Sequence, residues 1–395
     1  MLAVLVGVAL AGCGGDDDNG GGDGGGADGS KEPLVIGYAA TLSGFSANAD
    51  QAGALGARTM VDKLNKEGGI DGHRVRLVIK DMRSDPAQGG PVTQELLDEG
   101  AAVVLGPPFP NQAAGVVRTA ARENVPVLSV TSTGPEFTLV GGKPAFLAAF
   151  GDNAQAAAVA KYARDQQMET SFYMTSPDLN YTSKNAEWFA EAFEELGGRN
   201  LGSENFSVGQ QDFSAQVTKI ANMDPQPDII YAPMFMPDAG TFVRELRAAG
   251  VKSAIGGGDG FDNEAYLKFA KDGANGTILS THGVIRDGNR VEEFTQEVTE
   301  FNDGEPPENV GLTALGGDAL LIIKAAVEEA GSIEPQAIAD AIKELENVEV
   351  VTGTVTYKGT SGVPEKTVAV VAVEDRKFVP KEEFIPEFVP EAAGS

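Results

Sequence analysis

Short apolar runs alternate with amphipathic segments of helical length along most of the chain. Leu34–Tyr38 and Val75–Ile79 are apolar runs of strand length. Between them, Asn48–Glu67 repeats apolar residues at the spacing of a helix, and Gly68 and Gly69 follow as a helix stop. Strands that alternate with helices in this way are typical of βαβ units with a parallel sheet. The pattern therefore predicts an α/β fold.

The same alternation starts again after Gly151, so the chain divides into two α/β halves. The first half is predicted to contain the strands Leu34–Tyr38, Val75–Ile79, Ala102–Leu105 and Val125–Val130 and the helices Asn48–Glu67, Gln88–Asp98 and Gln112–Glu123. The second half is predicted to contain the strands Thr170–Met174, Asp228–Tyr231, Ser253–Ile255 and Ile278–Ser280 and the helices Ala154–Gln166, Lys184–Leu196, Phe213–Ala221 and Ala239–Ala249. Further helices are predicted at Val291–Asn302, Leu312–Ala330 and Pro335–Leu345, and antiparallel strands at Thr352–Tyr357 and Thr367–Val373.

The first residues of the chain have a different pattern. Leu2–Leu10 is apolar but shorter than the roughly 20 residues that span a bilayer, and it has the length of a signal-peptide hydrophobic region. Leu10-Ala11-Gly12-Cys13 resembles the lipobox of bacterial lipoproteins, in which the cysteine receives a diacylglyceryl group. The resemblance implies that 1–13 is a lipoprotein signal region with lipidation at Cys13; a buried N-terminal strand is the alternative. No Lys or Arg precedes Leu2, which predicts a start upstream of Met1.

Residues 14–32 are predicted to form a disordered tether. Glycine and aspartate predominate in 14–30, and no side chain there is both apolar and larger than that of Ala27. Such a segment cannot bury enough apolar surface to offset the entropy lost on ordering. The run Asp16–Asp18 lacks the ligand spacing of a calcium loop, so we expect a solvated charge run and no metal site.

Composition limits the partners of the protein. Its length of 395 residues predicts two domains, and its net charge of −28 argues against nucleic acid and against adsorption to anionic lipid. Cys13 is the only cysteine, so core burial rather than disulfides must stabilise the fold. No second apolar stretch suggests a membrane span. The pattern predicts a folded body outside the membrane, attached to it only through the lipid on Cys13.

Ligands of open parallel sheets bind at the loops that follow the carboxyl ends of the strands. Five predicted loops meet this condition: 106–111, 131–138, 176–181, 232–237 and 256–261. Their hydroxyls, aromatic rings and few acids suit a small zwitterion. The sequence contains no Gly-x-Ser-x-Gly elbow, Walker loop or His/Cys cluster, and His73 and His282 follow a turn and a strand. We therefore expect a binding protein without cofactors and not an enzyme.

A series of motifs in and around these loops carries a family resemblance. The motifs are Ile36-Gly37, Leu42–Gly44, Glu67–Ile70, Gly72, Asp81, Asp85-Pro86, Val104–Pro107, Val125–Ser129, Thr133–Thr138, Asn180-Tyr181, Asp212–Ser214 and Leu246–Gly250. In this order and spacing they make the chain from Leu34 to about Val373 resemble the type I periplasmic binding proteins of the leucine/isoleucine/valine-binding family, which deliver solutes to ABC importers.

The resemblance implies a monomer with two Rossmann-like lobes, joined by a hinge of three crossovers, that closes on a ligand in the cleft between them. The lobes are expected at 33–150 with 280–351 and at 151–279 with 352–385, followed by a tail at 386–395.

The resemblance also implies the residues of the site. The backbone of Thr131 and the backbone and hydroxyl of Thr133 match the family's contacts with an α-amino acid; capping of the following helix is the alternative for a threonine here. Asp259 lies where the family places an acid that pairs with the ligand ammonium, although an aspartate among glycines is also a common turn residue. Tyr181 matches a tyrosine that covers the ligand, and Phe235 matches a second one without its hydroxyl.

Two departures from the family pattern affect the expected ligand. Pro110 replaces a serine, and proline offers neither a hydroxyl nor a backbone N–H. A tyrosine expected after Gly44 is also absent. Asn111 is the candidate replacement donor, while Phe45 and Phe109 would make the cleft more apolar.

We therefore expect an amino acid or related small amine with a bulky apolar part as the ligand. The protein would act at the outer face of the cytoplasmic membrane and pass this ligand to the transmembrane subunits of an ABC permease. A receptor for an amide, a urea-like compound or an aromatic acid is the alternative, and an enzyme on the same scaffold is a third.

Overall fold

The computed structural model describes residues 31–140 and 145–392. Cys13, the signal region and most of the tether lie outside the described residues, so these expectations stay predictions. The first strand, β1 (Leu34–Ala40), is buried along its whole length. Leu34 and Ile36 face one hydrophobic core and Val35 and Ala39 face another, as in a strand covered on both sides.

The first lobe is built on a parallel sheet of five strands in the order β2-β1-β3-β4-β5. Its other strands are β2 (Val75–Asp81), β3 (Val103–Gly106), β4 (Val127–Ser129) and β5 (Ala145–Leu147). Its helices are α1 (Ala47–Lys66), α2 (Gly89–Asp98), α3 (Pro110–Arg122), α9 (Arg290–Phe301), α10 (Val310–Ala330) and α11 (Pro335–Glu344). Helices α2 and α3 cover one face of the sheet, and α1 and α10 cover the other.

The second lobe is built on a sheet of seven strands in the order β15-β14-β10-β9-β8-β6-β7. Its parallel strands are β6 (Thr170–Thr175), β7 (Arg199–Asn205), β8 (Ile229–Tyr231), β9 (Ala254–Gly257) and β10 (Thr277–Thr281), and its antiparallel strands are β14 (Val368–Glu374) and β15 (Lys377–Phe384). Its helices are α4 (Asp152–Asp165), α5 (Asn180–Glu195), α6 (Ser214–Ala221), α7 (Asp238–Ala248) and α8 (Glu264–Ala270). The predicted α/β class with parallel sheets is confirmed.

A third, antiparallel sheet precedes β14 and differs from the expected lobe boundary. It contains β11 (Val348–Val350), β12 (Gly353–Thr356) and β13 (Glu365–Lys366). Residues 352–385 were expected in the second lobe, but Val355 and Tyr357 pack in the core of the first lobe. The transfer to the second lobe comes only at β14, because that strand pairs with β10.

One helix among the described residues, α10, is long and apolar enough to cross a membrane by length and composition. No second apolar stretch of this kind was expected from the sequence. Most of the helix is buried in the first-lobe core, against α1 and α11. Its apolar composition is therefore that of a central core helix.

The chain passes between the two sheets at three places, and these form the hinge. The passages lie between β5 and α4, between β10 and α9, and between β13 and β14. A buried ion pair joins parts of this region: Lys366 Nζ lies 2.7 Å from Asp318 Oδ2 and donates to the carbonyl of Ala148 at 3.1 Å. The Thr352 hydroxyl donates to the same Asp318 oxygen at 2.5 Å. The ion pair and these hydrogen bonds therefore stabilise the hinge.

Candidate functional site

The two lobes enclose a cavity of about 250 Å³ at the carboxyl ends of their strands. Residues 108–111 and 133–134 line it from the first lobe, and 152 and 178–181 line it from the second. The volume is below the roughly 300–1,000 Å³ of pockets that hold drug-sized ligands, so the cavity suits a small solute. Of the predicted site residues, Phe109, Asn111, Thr133 and Tyr181 line this cavity directly.

Asp259 lies behind Tyr181, in the loop that follows β9. Tyr181 Oη donates to Asp259 Oδ1 at 3.0 Å and accepts from the N–H of Gly260 at 3.1 Å. His282 Nε2 lies 3.1 Å from the other carboxylate oxygen, Oδ2. Burial alone would raise the pKa of Asp259, but the hydrogen bond and charge of His282, with hydrogen bonds from Gln155 and Tyr181, hold it below its ordinary value. Asp259 is therefore an ionised carboxylate in a largely dry position.

Gln155, on the first turns of α4, connects this carboxylate to a second one. Its Oε1 accepts from the backbone N–H of Asp259 at 3.0 Å and from the Ser280 hydroxyl at 2.8 Å. Its Nε2 donates to Asp152 Oδ1 at 2.5 Å. Burial, followed by repulsion from Asp259, raises the pKa of Asp152 well above its ordinary value, against hydrogen bonds from Thr133 and Gln155. Asp152 therefore tends to hold its proton while Asp259 stays charged.

The structure gives the two predicted threonines different surroundings. The Thr131 hydroxyl donates to Asp50 Oδ1 at 3.0 Å inside the first lobe, and Thr131 does not line the cavity. Burial raises the pKa of Asp50 to about 6, against four hydrogen bonds from its neighbours. Thr133 lines the cavity, and its carbonyl accepts from the N–H of Asp152 at 2.7 Å.

Aromatic rings from both lobes form a row across the mouth of the cleft. Phe45 stacks on Phe109 with ring centroids 6.0 Å apart, and Phe109 meets the edge of Phe235 at 6.1 Å. Phe235 in turn lies 4.5 Å from the ring of Tyr181. Phe45 is 68% exposed, although a large apolar side chain is favoured inside. These four aromatic rings give the cleft one apolar wall. Phe235 lies beside the cavity but does not line it.

Pro110 is the first residue of α3, a position where the missing N–H is no loss because it has no partner within the helix. The following Asn111 is exposed and lines the cavity. Proline is therefore favourable as the first residue of this helix, and the side-chain amide of Asn111 can donate a hydrogen bond in place of the hydroxyl of the expected serine.

The lining of the cavity contains carboxyl groups but no lysine or arginine. Asp152 and Asp178 line it, and the charged Asp259 stands directly behind Tyr181. Within 31–140 and 145–392, no group of three or more His, Cys, Asp or Glu side chains could hold a metal ion. The arrangement can therefore attract a positively charged group and surround an apolar one.

His282, Gln155 and Asp152 belong to this site but are not among the residues predicted from the sequence. His282 directly follows β10, so the rule about loops at the carboxyl ends of strands would have identified it. Asp152 and Gln155 open α4, where a polar first turn is equally typical of ordinary helix capping. No feature of the sequence distinguishes a role of these two residues in the site from ordinary helix capping.

Comparison with known proteins places this fold in a family. The sequence profile of the family described as "Periplasmic binding protein" matches residues 33–377. Leu/Ile/Val-binding protein BraC3 of Rhizobium johnstonii is 28% identical over 351 residues, which cover 88% of this chain and 94% of that protein. Leu/Ile/Val-binding protein homolog 3 of Brucella melitensis is 27% identical over 348 residues, which cover 88% of this chain and 93% of that protein.

Two solved structures have the same fold. The branched-chain amino acid transporter substrate binding protein LivJ from Streptococcus pneumoniae, in complex with isoleucine, has a TM-score of 0.77 and 25% identity, covering 91% of this chain and all of that one. A solute binding protein from R. palustris in complex with benzoate has a TM-score of 0.76 and 19% identity, covering 92% of this chain and 99% of that one. The family predicted from the motifs is confirmed. This chain belongs to the periplasmic binding protein family.

Proposed function

We propose that this protein is a lipid-anchored receptor that binds an amino acid or related small amine with a bulky apolar part and delivers it to an ABC permease. The observation that carries the proposal is Asp259, an ionised and largely buried carboxylate beside a cavity without lysine or arginine. An ammonium group is the ligand group that such a carboxylate attracts most strongly. The aromatic row at the mouth supplies the surface for an apolar part.

Binding is proposed to act through the hinge. Residues of both lobes line one cavity, so a ligand contacts both sets only when the lobes are together. A ligand that binds the closed state more tightly shifts the population toward it. The permease would then recognise the closed, loaded form.

A thermal-shift screen of the folded body with amino acids, amines, amides and aromatic acids tests the ligand class. Ligand at about 100 times its dissociation constant should stabilise the protein by roughly 2.7 kcal/mol. We expect stabilisation by compounds that carry an ammonium group and an apolar side chain. Stabilisation only by carboxylates that lack an amine would contradict the proposal.

A receptor for an amide or an aromatic acid is the second candidate, and one observation favours it. Both oxygens of Asp259 already face donors, from Tyr181 and His282, so the carboxylate does not depend on a ligand cation. In that case Asp259→Asn should weaken binding of a neutral amide as much as binding of an amine. A selective loss of amine binding supports the first candidate instead.

The lipid anchor is proposed from Leu10-Ala11-Gly12-Cys13. In a bacterial host that expresses the full chain, wild-type protein should fractionate with membranes, because the diacylglyceryl group on Cys13 inserts into lipid. The Cys13→Ser variant should lose this association while keeping its ligand-induced thermal shift. Equal membrane association of both forms would refute lipidation at Cys13.

A further inference from the structure

A groove on the surface of the first lobe lies between helices α2 and α3. Its volume is about 520 Å³. Gly90 and Pro91 line it from the first turn of α2, and Arg118, Thr119 and Arg122 line it from the second half of α3. No residue that lines this groove also lines the cleft between the lobes. The proposed function therefore does not use it.

Two arginines with free guanidinium groups line the groove. Arg118 and Arg122 are exposed and lie one turn apart on α3, and their guanidinium groups have no partner within 31–140 and 145–392. Like charges at this spacing repel each other on a helix. The lining contains no carboxyl group, so the groove is locally cationic in a chain whose net charge is −28. A bound anion would relieve the repulsion between the two arginines.

Four acidic residues near the groove in sequence, Asp85, Glu95, Asp98 and Glu123, are not part of its lining. Asp85 accepts from a backbone N–H at 2.9 Å, and Asp98 accepts from a side-chain amide of α2 at 3.0 Å. Glu95 Oε2 lies 3.0 Å from Lys80 Nζ. These contacts direct the three carboxylates to other partners, which leaves the charge of the two arginines available to a ligand.

A buried hydroxyl and the start of a helix face the same groove. Thr119 is 8% exposed, and its hydroxyl has no hydrogen-bond partner within the described residues. A Cβ at Gly90 would lie 3.4 Å from Thr119 Oγ1, so the hydroxyl faces the first turn of α2. Gln88 makes no side-chain capping hydrogen bond there, and this turn contains no acidic residue. The first N–H groups of a helix favour an anion, and a buried hydroxyl needs a partner.

We propose that this groove binds a phosphate dianion, either inorganic phosphate or a phosphate monoester. Such a group carries about 1.5–2 negative charges at neutral pH, which two guanidinium groups can balance. Its oxygens can accept at once from both arginines, from the Thr119 hydroxyl and from the first turn of α2, whereas a carboxylate has only two oxygens. The groove is separate from the cleft, so this inference goes beyond the proposed function and does not rest on it.

Calorimetric titration of the full chain with Cys13→Ser, which removes the proposed lipidation site, tests the ligand class. The probes are inorganic phosphate, glycerol phosphate and acetate, at constant ionic strength and about pH 7.5, where phosphate carries most of its second charge. We expect both phosphates to bind saturably and acetate to bind at least about tenfold more weakly, because acetate offers less charge and fewer acceptors. Equal binding of acetate and phosphate would overturn the assignment.

Variants of the same protein test the groove residues. Arg118→Gln and Arg122→Gln should each raise the phosphate Kd at least about tenfold, because each removes a charge-assisted hydrogen bond. Thr119→Val, or Thr119→Ala if valine prevents folding, should also raise it, an effect that general attraction to surface charge does not produce. Arg58→Gln is the matched control: Arg58 is an exposed arginine of α1, outside the groove, whose guanidinium has no partner within the described residues. Its Kd should stay within about twofold, because distant surface charges are screened.

Sedimentation with vesicles of phosphatidylcholine and phosphatidylglycerol distinguishes a lipid headgroup from a free phosphate. Vesicle binding that is lost in the double variant of Arg118 and Arg122, together with no binding of the soluble phosphates, would overturn the proposal in favour of a lipid. A folded protein that binds no phosphate at all, or an unchanged Kd in both single arginine variants, would also overturn it. The arginine variants should keep the ligand-induced thermal shift of the cleft, so these results leave the proposed function untouched.

Discussion

Three aspartates near the cleft show how neighbours decide the charge of one side-chain type. Asp259 is held ionised, because the donors around it outweigh its burial. Asp152 has fewer donors and a charged neighbour, so its pKa is raised well above the ordinary value. Burial raises the pKa of Asp262 to about 6, although Thr281 Oγ1 donates to it at 2.5 Å. Of these three carboxyl groups, only that of Asp259 has a pKa below its ordinary value.

Replacing Asp262 by asparagine should stabilise the protein at neutral pH. The folded-state pKa of Asp262 lies above the ordinary 3.8, so its ionisation opposes folding progressively from about pH 4 to about pH 6 and fully above that. Asparagine can still accept from Thr281 but carries no charge to desolvate. We expect Asp262→Asn to be more stable than wild type by roughly 1–3 kcal/mol at about pH 7.5 and equally stable at about pH 3.5. Denaturant unfolding at the two pH values measures this difference.

Asp340 provides a control of the opposite sign. Hydrogen bonds from Lys343 and Gln336 on the exposed face of α11 lower the pKa of its carboxyl. Its ionisation therefore favours folding above about pH 4, and Asp340→Asn should lose stability relative to wild type as the pH rises. The same pH trend in both variants would contradict the assignment of Asp262.

Helices α1 and α10 approach each other closely in the first-lobe core, and glycines make this possible. A Cβ at Gly56 would lie 1.8 Å from the carbonyl oxygen of Thr313, and one at Gly316 would lie 2.1 Å from that of Gly53. Backbone atoms thus meet where side chains usually separate helices. These glycines allow α10 to pack closely against α1. The buried position of α10 explains its apolar composition.

Gly56→Ala should destabilise the protein because its added methyl group meets backbone that cannot move aside independently. We expect a loss of about 1–3 kcal/mol in the free energy of unfolding. Gly90→Ala is the control: this glycine also lies in a helix, α2, but its Cβ would only contact Thr119 Oγ1 at 3.4 Å. It should be neutral or stabilising by up to about 1 kcal/mol, because alanine favours the helix. Equal stability of the two variants in thermal and denaturant unfolding would contradict the close approach.

The two lobes are each built on a large sheet covered by helices, and they meet at the polar residues around Asp259. His282 and Phe150 come from two of the three passages between the sheets, and their rings stack beside Asp259. On the first-lobe side, the buried pair of Lys366 and Asp318 ties other parts of the hinge together. Asp259 therefore lies in direct contact with one of the residues that connect the lobes.

Much of this architecture was predictable from the hydrophobic pattern. Strand β1 is a continuous apolar run because it is covered on both sides, and helix α3 has a strong apolar periodicity because it buries one face. Strand β7 was missed, since its sequence is polar and it lies at the sheet edge with only β6 beside it. Strand β15 also escaped prediction because it carries charged residues and Pro380. Edge strands need no continuous apolar run, so their sequences resemble loops.

The candidate site was predictable only where position along a strand or family motifs pointed to it. Asp259 and Tyr181 were predicted, but their hydrogen bond joins residues 78 positions apart, which no local pattern reveals. The Thr131 hydroxyl serves Asp50 instead of the cavity, a choice that depends on tertiary packing. The pairing of Asp259 with His282 likewise arises only when two loops meet.

Calorimetric titration of wild type and Asp259→Asn with leucine, isoamylamine, phenylalanine and phenethylamine tests whether Asp259 binds the ammonium group of the ligand. Loss of one partner of a buried charge pair costs roughly 2–5 kcal/mol, so Kd for the ammonium-bearing probe that binds best should rise at least about thirtyfold. The variant should keep a cooperative thermal transition. A folded Asp259→Asn protein that binds this probe within about twofold of wild type would contradict the role assigned to Asp259.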